Sequence, residues 1–597
     1  LKLTTTGSTA PITDEGALVV SGTTTIDASG TMGVDRSYVE LDHQSSDLGG
    51  AVGASGSNVS LDHPTGIDLG NSTVGGTYDV KARTGNITGT GALVIEGTTT
   101  LITSADGADI TLNGTGNAFT GNVKITTNET NSDKDAYAMI NGGSNIGLKV
   151  ERGSEIQGNL TLISGHANTI TDEGDSGVVT VDGNLTVTTN ANNGSITLND
   201  LAVDGTIGLN THGTGSATVV NDAGLQFASS TVGGNLHATA TTGNMTQSGA
   251  LDIEGTTTLI TVANNASITL GTASNAFTGA LIITTNDNDA APNDTNGDVT
   301  IHGGTTALVL GNSTIDGDLT LTSTATGTAG ITDTGTLNIR GTTTISASGV
   351  DVTLNSAANN FQGSIAINGS DVILVNAYAT TDLGASTVTG TYTLTASGGV
   401  IDSGALAITG VTTVSAGGDV TLNTVTNNFQ GAVKIAANNV EVVDAGAIDL
   451  GASTVTGTYR VTATAGGDIT NSGVLTISGG AIFKAASGQS IYLNESNIFS
   501  STVAFTTPSG NLANVTVRDT TDFDLAALTL SGDLIVTSTG GSITDSGALR
   551  ISGTSWFLTI TSNKDIALDT TTNVFTGAVT LNTTGLTGHA EVDGGTT

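Results

Sequence analysis

The sequence predicts an all-β fold, a right-handed parallel β-helix (β-solenoid), on three observations. First, residues 341–409 are said almost again from Gly410, and the same landmarks recur along the 597 residues: a GTTT-like turn and strand, an N-x-F-x-G segment, an LGxSTVxG segment, and an ITDSG-like turn before an apolar ALxI. Second, apolar residues alternate with small polar ones in short runs, as at Val352-Thr353-Leu354 and Tyr392-Thr393-Leu394, the two-residue period of a strand with one buried face. Third, clusters such as Asn368-Gly369-Ser370-Asp371 break the runs, and no stripe of helical period lies between them. Short strands that cannot bury an apolar face alone do so by stacking, repeat on repeat.

Within one repeat, Gly341 to Phe361 reads as a first coil, Gln362 to Leu383 as a second and Gly384 to Thr409 as a third. The expectation is about three coils per repeat. The marker glycines Gly22, Gly97, Gly183, Gly255, Gly341, Gly410, Gly479 and Gly553 set repeats of 69 to 86 residues with no separate domain, so 1–597 reads as one continuous solenoid. About 26 coils at roughly 4.8 Å each would make a rod on the order of 125 Å long. One ring per repeat (Phe119, Phe277, Phe361, Phe429 and Phe575, with Phe499 in the variant NIFSS) is expected to plug a corner of the core, and the Asn before it to join a side-chain ladder. The STV segment returns at Thr73, Thr231, Thr314, Thr387 and Thr454.

Composition narrows the partners. Aromatic residues are 3% and Gly 84 of 597, which fits a thin core of Val, Ile, Leu and Ala, while 37% hydrophobic residues in regular alternation argue against disorder. The net charge of −38, from 53 acids and 15 bases, repels nucleic acid and anionic membrane, and no apolar run is long enough for a transmembrane helix. With no cysteine, disulfides cannot hold the fold.

Candidate chemistry is sparse. ITTNETNSDKDAYAMINGG and ITTNDNDAAPNDTNGDVTIHGG lengthen two repeats at the same place, and their Asp133, Asp135, Asp287, Asp289, Asp294 and Asp298 supply the hard oxygen ligands that Ca²⁺ takes, without an EF-hand spacing. Solvated loops are the simpler reading. Asp42-His43 and Asp62-His63 lie twenty residues apart, one coil, and would offer two imidazoles and two carboxylates to a metal; two similar exposed turns explain them as well. A β-helix polysaccharide lyase or hydrolase needs clustered carboxylates and cations in a cleft, but Arg36, Arg83, Arg152, Arg340, Arg460, Arg518 and Arg550 are spread over the length, and Asp172, Asp333, Asp402 and Asp545 recur in the ITDSG turn as architecture does. No enzyme and no other cofactor are expected. The lone Trp556, beside Phe557, is assigned to the core or a cap. Ice binding would need threonines on every coil, and TTT returns only once per repeat.

From about Ile12 to Ala590 the chain resembles the repeat region of giant filamentous-haemagglutinin-like bacterial exoproteins, as in GALAITGVTTVSAGGDVTLNTVTNNFQGAV at Gly404 to Val433. The resemblance implies a secreted adhesin built as a right-handed parallel β-helix and exported through an outer-membrane partner. The Asn-Pro signature of that family's secretion module is missing. The expected function is a structural and adhesive shaft or fibre segment at the bacterial cell surface, contacting an unknown surface or glycan; the alternatives are a self-assembling extracellular filament or sheath subunit and, behind it, the polysaccharide enzyme. Both ends stop in open repeat, so end-to-end contact with the rest of a longer parent chain or with further copies is expected.

Overall fold

The computed structural model describes residues 1–5, 10–28, 37–130, 135–174, 176–286, 297–327 and 330–594. The described residues are all-β without a helix, and parallel strands stack into a β-solenoid of about 27 turns. They form two compact units, Leu1–Val309 with Ile315–Gly317, and Leu310–Thr314 with Asp318–Thr597.

In the second unit the repeat from Gly341 contains seven segments: Thr343–Ser346; Val352–Leu354 with Asn360–Phe361; Ile365–Gly369; Val372–Asn376; Thr380–Leu383 with Ser386–Val388; Tyr392–Ala396; and Gly399–Asp402 with Leu406–Ile408. Successive segments fall alternately into two long parallel sheets, so two segments make one coil. Tyr392 is in register with Thr412, twenty residues on, which is the length of that coil. Seven segments are therefore three and a half coils, not three. Because seven is odd, the next copy of the GTTT strand, Thr412–Ala416, lies in the opposite sheet from Thr343–Ser346. Thr343 is flanked by Leu319 and Ile365, whereas Thr412 is flanked by Tyr392 and Val433.

The first unit obeys the same rule. Its strands Thr24–Asp27 and Leu185–Asn192 belong to one sheet, and Thr99–Asp106 and Thr257–Asn264 to the other. In both units the inward column is Val, Ile and Leu, alternating with outward threonines and charges in the strand period; Lys434, between Val433 and Ile435, faces out as its position implies. Phe119, Phe277, Phe361, Phe429 and Phe499 are fully buried, as expected of corner plugs, while Phe575 is only half-buried; Tyr78, Tyr392 and Tyr459 are also fully buried, and burial pushes their hydroxyls far up. In the second unit Phe483 packs against Tyr459, Phe499 and Phe505 with ring centroids 5.9, 6.0 and 5.9 Å away.

The small residues of the motifs are fixed by stacking. A Cβ on Gly404, the glycine of the IDSG turn, would lie 2.1 Å from the Ala385 nitrogen of the preceding coil, and one on Gly473 of the equivalent turn 2.1 Å from the Ala452 nitrogen. The GTTT glycines stand on glycines in the same way: a Cβ on Gly410 would be 2.4 Å from the Gly390 oxygen. Glycine is required there for close approach rather than for its range of φ.

Candidate functional site

The polar residues of the repeat form joints between coils. Asn427 of N-x-F is fully buried; its Oδ1 accepts the Leu406 N–H at 2.8 Å and its Nδ2 donates to Asp402 Oδ2 at 2.6 Å. Asp402, the acid of the preceding coil's turn, also accepts the N–H groups of Asn423 and Thr424. Asn359 repeats this joint with Leu337 and Asp333, and Asn573 with Leu549 and Asp545. Where the acid is replaced by an amide, the joint is rebuilt: Gln247 exchanges two hydrogen bonds with Asn275, and Asn471 donates to Asn497. The N-x-F asparagines thus bond across coils to the acid or amide of the turn rather than to their own counterparts in a ladder. A second joint belongs to the STV serines: Ser386 accepts the Ile367 N–H and donates to Gly384 O, as Ser453 does with Ile435 and Gly451.

A third joint was not foreseen. The last residue of the fourth segment in the first seven repeats is His63, Asn141, Asn221, His302, Asn376, Asp444 or Asp519. Five of these reach back to a backbone N–H: His63 to Leu48, Asn221 to Val203, Asn376 to Phe361, Asp444 to Phe429 and Asp519 to Phe499, at 2.7 to 3.0 Å. Three different side chains fill one slot, which is why no residue type marked it in the sequence. Its position, fifteen residues after Phe361 and Phe429, was the signal available.

That slot corrects the reading of Asp62-His63. Leu41 and Leu61 are in register, so the two Asp-His turns do follow one coil apart. His63, however, is buried: its Nε2 accepts the Leu48 N–H at 2.8 Å, which leaves the proton on Nδ1, 3.2 Å from Thr65 Oγ1. Asp62 is held bidentately by Arg83. His43 Nδ1 accepts the Ser45 N–H, and Asp14 accepts the N–H groups of Asp42 and His43. The Asp62-His63 pair is thus committed to the fold, and Asp42 and His43 are not joined to it by a shared contact.

Of the Ca²⁺ candidates, Asp133, Asp287, Asp289 and Asp294 lie outside the described residues. Asp135 is exposed beside Asp109, whose carboxyl is raised chiefly by desolvation, with Asp135 adding to it. Asp298 accepts the Ile268 N–H at its carbonyl. Among the described residues no three His, Asp or Glu side chains converge as a metal site requires. Asp172 is an ion-paired joint: buried, it accepts the N–H groups of Asn199 and Asp200 and lies 3.5 Å from Arg152.

The outer face of the second unit carries a feature the sequence reading misplaced. Trp556 is 48% exposed while Phe557 beside it is core. Adjacent residues of a strand face opposite sides, and Phe557 took the inner one. Along the sheet, Tyr492, Thr516, Ile535, Trp556 and Thr580 stand in register, and Arg518, Thr537 and Leu558 form the next outward column. This is an aromatic and aliphatic strip with hydroxyls and one guanidinium, on a parallel sheet. In the first unit, Tyr38, Glu40, Asn58, Ser60 and Asp79 border a groove of about 270 Å³, with Glu40, Ser60 and Asp79 in register on three consecutive coils.

A profile of a family described as repeats of unknown function (DUF5649) matches residues 1–55, 56–126, 214–284, 296–368, 369–436, 437–506 and 512–582. No curated protein and no solved structure matches the chain.

Proposed function

The chain belongs to that repeat family, and on this premise we infer that it is a structural, adhesive shaft segment of a large bacterial surface protein. One observation carries the reading: the side chains best able to do chemistry, the turn acids Asp333, Asp402 and Asp545 and the asparagines that face them, are used to bolt one coil to the next. Such joints serve a body that must hold its shape, and they recur with the repeat as a scaffold does. The resemblance to filamentous-haemagglutinin-like exoproteins, an extracellular location and export through an outer-membrane partner belong to this proposal.

The contact face proposed for adhesion is the Trp556 strip. An exposed indole with Ile535 and Leu558 beside it offers apolar area, and Thr516, Thr537 and Arg518 offer hydrogen bonds, the combination that takes up sugar rings or a partner's surface. The test compares wild type with Trp556→Ala on glycan arrays and on whole cells. The variant should fold with an unchanged far-ultraviolet spectrum and lose most of the binding. Undiminished attachment by a folded variant would remove this face, and turnover of a polysaccharide would replace the structural reading with an enzymatic one, for which the Glu40 and Asp79 groove is the first place to mutate.

A further inference from the structure

We propose that Asp444 and Asp519 are acid-operated latches of the second unit: each fills the slot that Asn376 fills with an amide, and protonation supplies the donor that the amide carries and the carboxylate lacks. The comparison is internal to the fold. Asn376 accepts the N–H groups of Phe361 and Tyr378 at its Oδ1 and donates from Nδ2 to Phe361 O at 3.0 Å and Thr381 Oγ1 at 3.2 Å. Asn221 in the first unit does the same, donating to Val203 O and Gly224 O. Asp444 accepts the Phe429 N–H at Oδ2 and the Gly446 N–H at Oδ1, and Asp519 accepts the Phe499 N–H at Oδ1 and the Thr521 N–H and hydroxyl at Oδ2, the same hydroxyl lying 3.1 Å from Phe499 O; an ionised carboxylate has nothing to donate. Both carboxyl groups have relative exposures of 1% or less. Two buried carboxyl groups therefore occupy, with N–H donors on both oxygens, the slot in which Asn376 and Asn221 also donate to a carbonyl.

Among the described residues no cation is paired with either of them. On the strand of Asp444, Glu441 faces outward opposite Arg460; in the next coil Ala463 is in register with Asp444; in the preceding coil Asp402 is tied to Asn427. Asp449, further along the coil, is bonded to Ser472. Asp519 lies between Asn497 and Ser538, with Arg518 turned outward, Asp522 exposed 3.7 Å from Lys564, and Asp524 bonded to Ser546. Burial pushes both carboxyl groups up, against hydrogen bonds that pull them down, from the Thr521 hydroxyl at Asp519 and from backbone N–H groups at both. The sign follows: the folded chain holds these protons more tightly than the unfolded chain, so their stabilisation is complete below the ordinary carboxylate value of about 3.9 and is lost as pH rises through the raised folded value. The latches close in acid.

Hydrogen exchange by mass spectrometry on the full chain, between about pH 4 and about pH 7.5 and corrected for intrinsic rates, reads the two joints separately. In wild type, protection of the peptides holding Phe429 and Phe499 should rise as pH falls. Asp444→Asn should make the Phe429 peptide highly protected and flat with pH while the Phe499 peptide keeps its slope, and Asp519→Asn the reverse. Asn376→Asp should lower protection at Phe361 near neutral pH and create a slope there. A flat wild-type response, or lower neutral-pH protection in a folded Asp444→Asn or Asp519→Asn, would overturn the proposal. Should one asparagine variant fail to fold, the other and Asn376→Asp carry the same test.

Discussion

At the scale of single residues, the solenoid depends on buried amides with no spare valence. Asn427→Ala would strip the Leu406 N–H of its acceptor and Asp402 of a donor, and a buried group left unpaired costs about 1–3 kcal/mol. Asn427→Asp should cost more, because it sets a second carboxylate against Asp402. Urea unfolding followed by circular dichroism orders the two. The inner threonines of the GTTT strands point the other way: Thr343 and Thr412 are buried, and their hydroxyls have no hydrogen-bond partner among the described residues. Thr412→Val keeps the shape and removes a desolvated hydroxyl, so it should raise stability by about 1 kcal/mol in the same measurement. Of this scale the sequence disclosed the N-x-F asparagine and the turn acid as recurring letters. That Asn427 meets Asp402 could not be read, because the pair is made between coils and 25 residues apart.

At the scale of the element, the coil is limited by how closely backbones approach at its turns. Gly404→Ala would drive a Cβ to 2.1 Å from the Ala385 nitrogen, whereas a Cβ on Gly446 would meet nothing nearer than Asp444 Oδ1 at 3.6 Å. The first substitution should lower stability by about 1–3 kcal/mol or more, as overpacking does, and with it the unfolding midpoint, and the second should leave both nearly unchanged. Thermal unfolding of the pair checks this, and equal losses would show that the turn tolerates a shift. The same close stacking explains why SG and GTTT read as motifs at all. Their glycines are legible in the sequence, but the neighbour each one touches is not.

At the scale of the whole molecule, the charge of −38 governs how chains meet one another. Repulsion between like-charged surfaces is screened over about 10 Å at 0.1 M salt and over about 3 Å at 1 M, so light scattering should record association that grows with salt. A chain that stays dispersed at high concentration and high salt would count against assembly of copies. The two long sheets also settle why threonine landmarks make no continuous outer ladder. Equivalent strands change sheet at each repeat, so the outward Thr344 is flanked by Thr320 and Ala366 instead of by its own counterparts.

The sequence by itself determined the class of fold, the repeat, the strand alternation and the burial of the N-x-F ring, because each follows from a short-range period that the chain carries in its own order. Tertiary structure alone decided the number of coils per repeat, the slot shared by His63, Asn376 and Asp444, and the outward turn of Trp556. Those depend on register between strands about twenty residues apart. A shift of one residue in that register would exchange the inner and outer faces, and the hydrogen bonds that fix it lie between coils, where no local pattern records them.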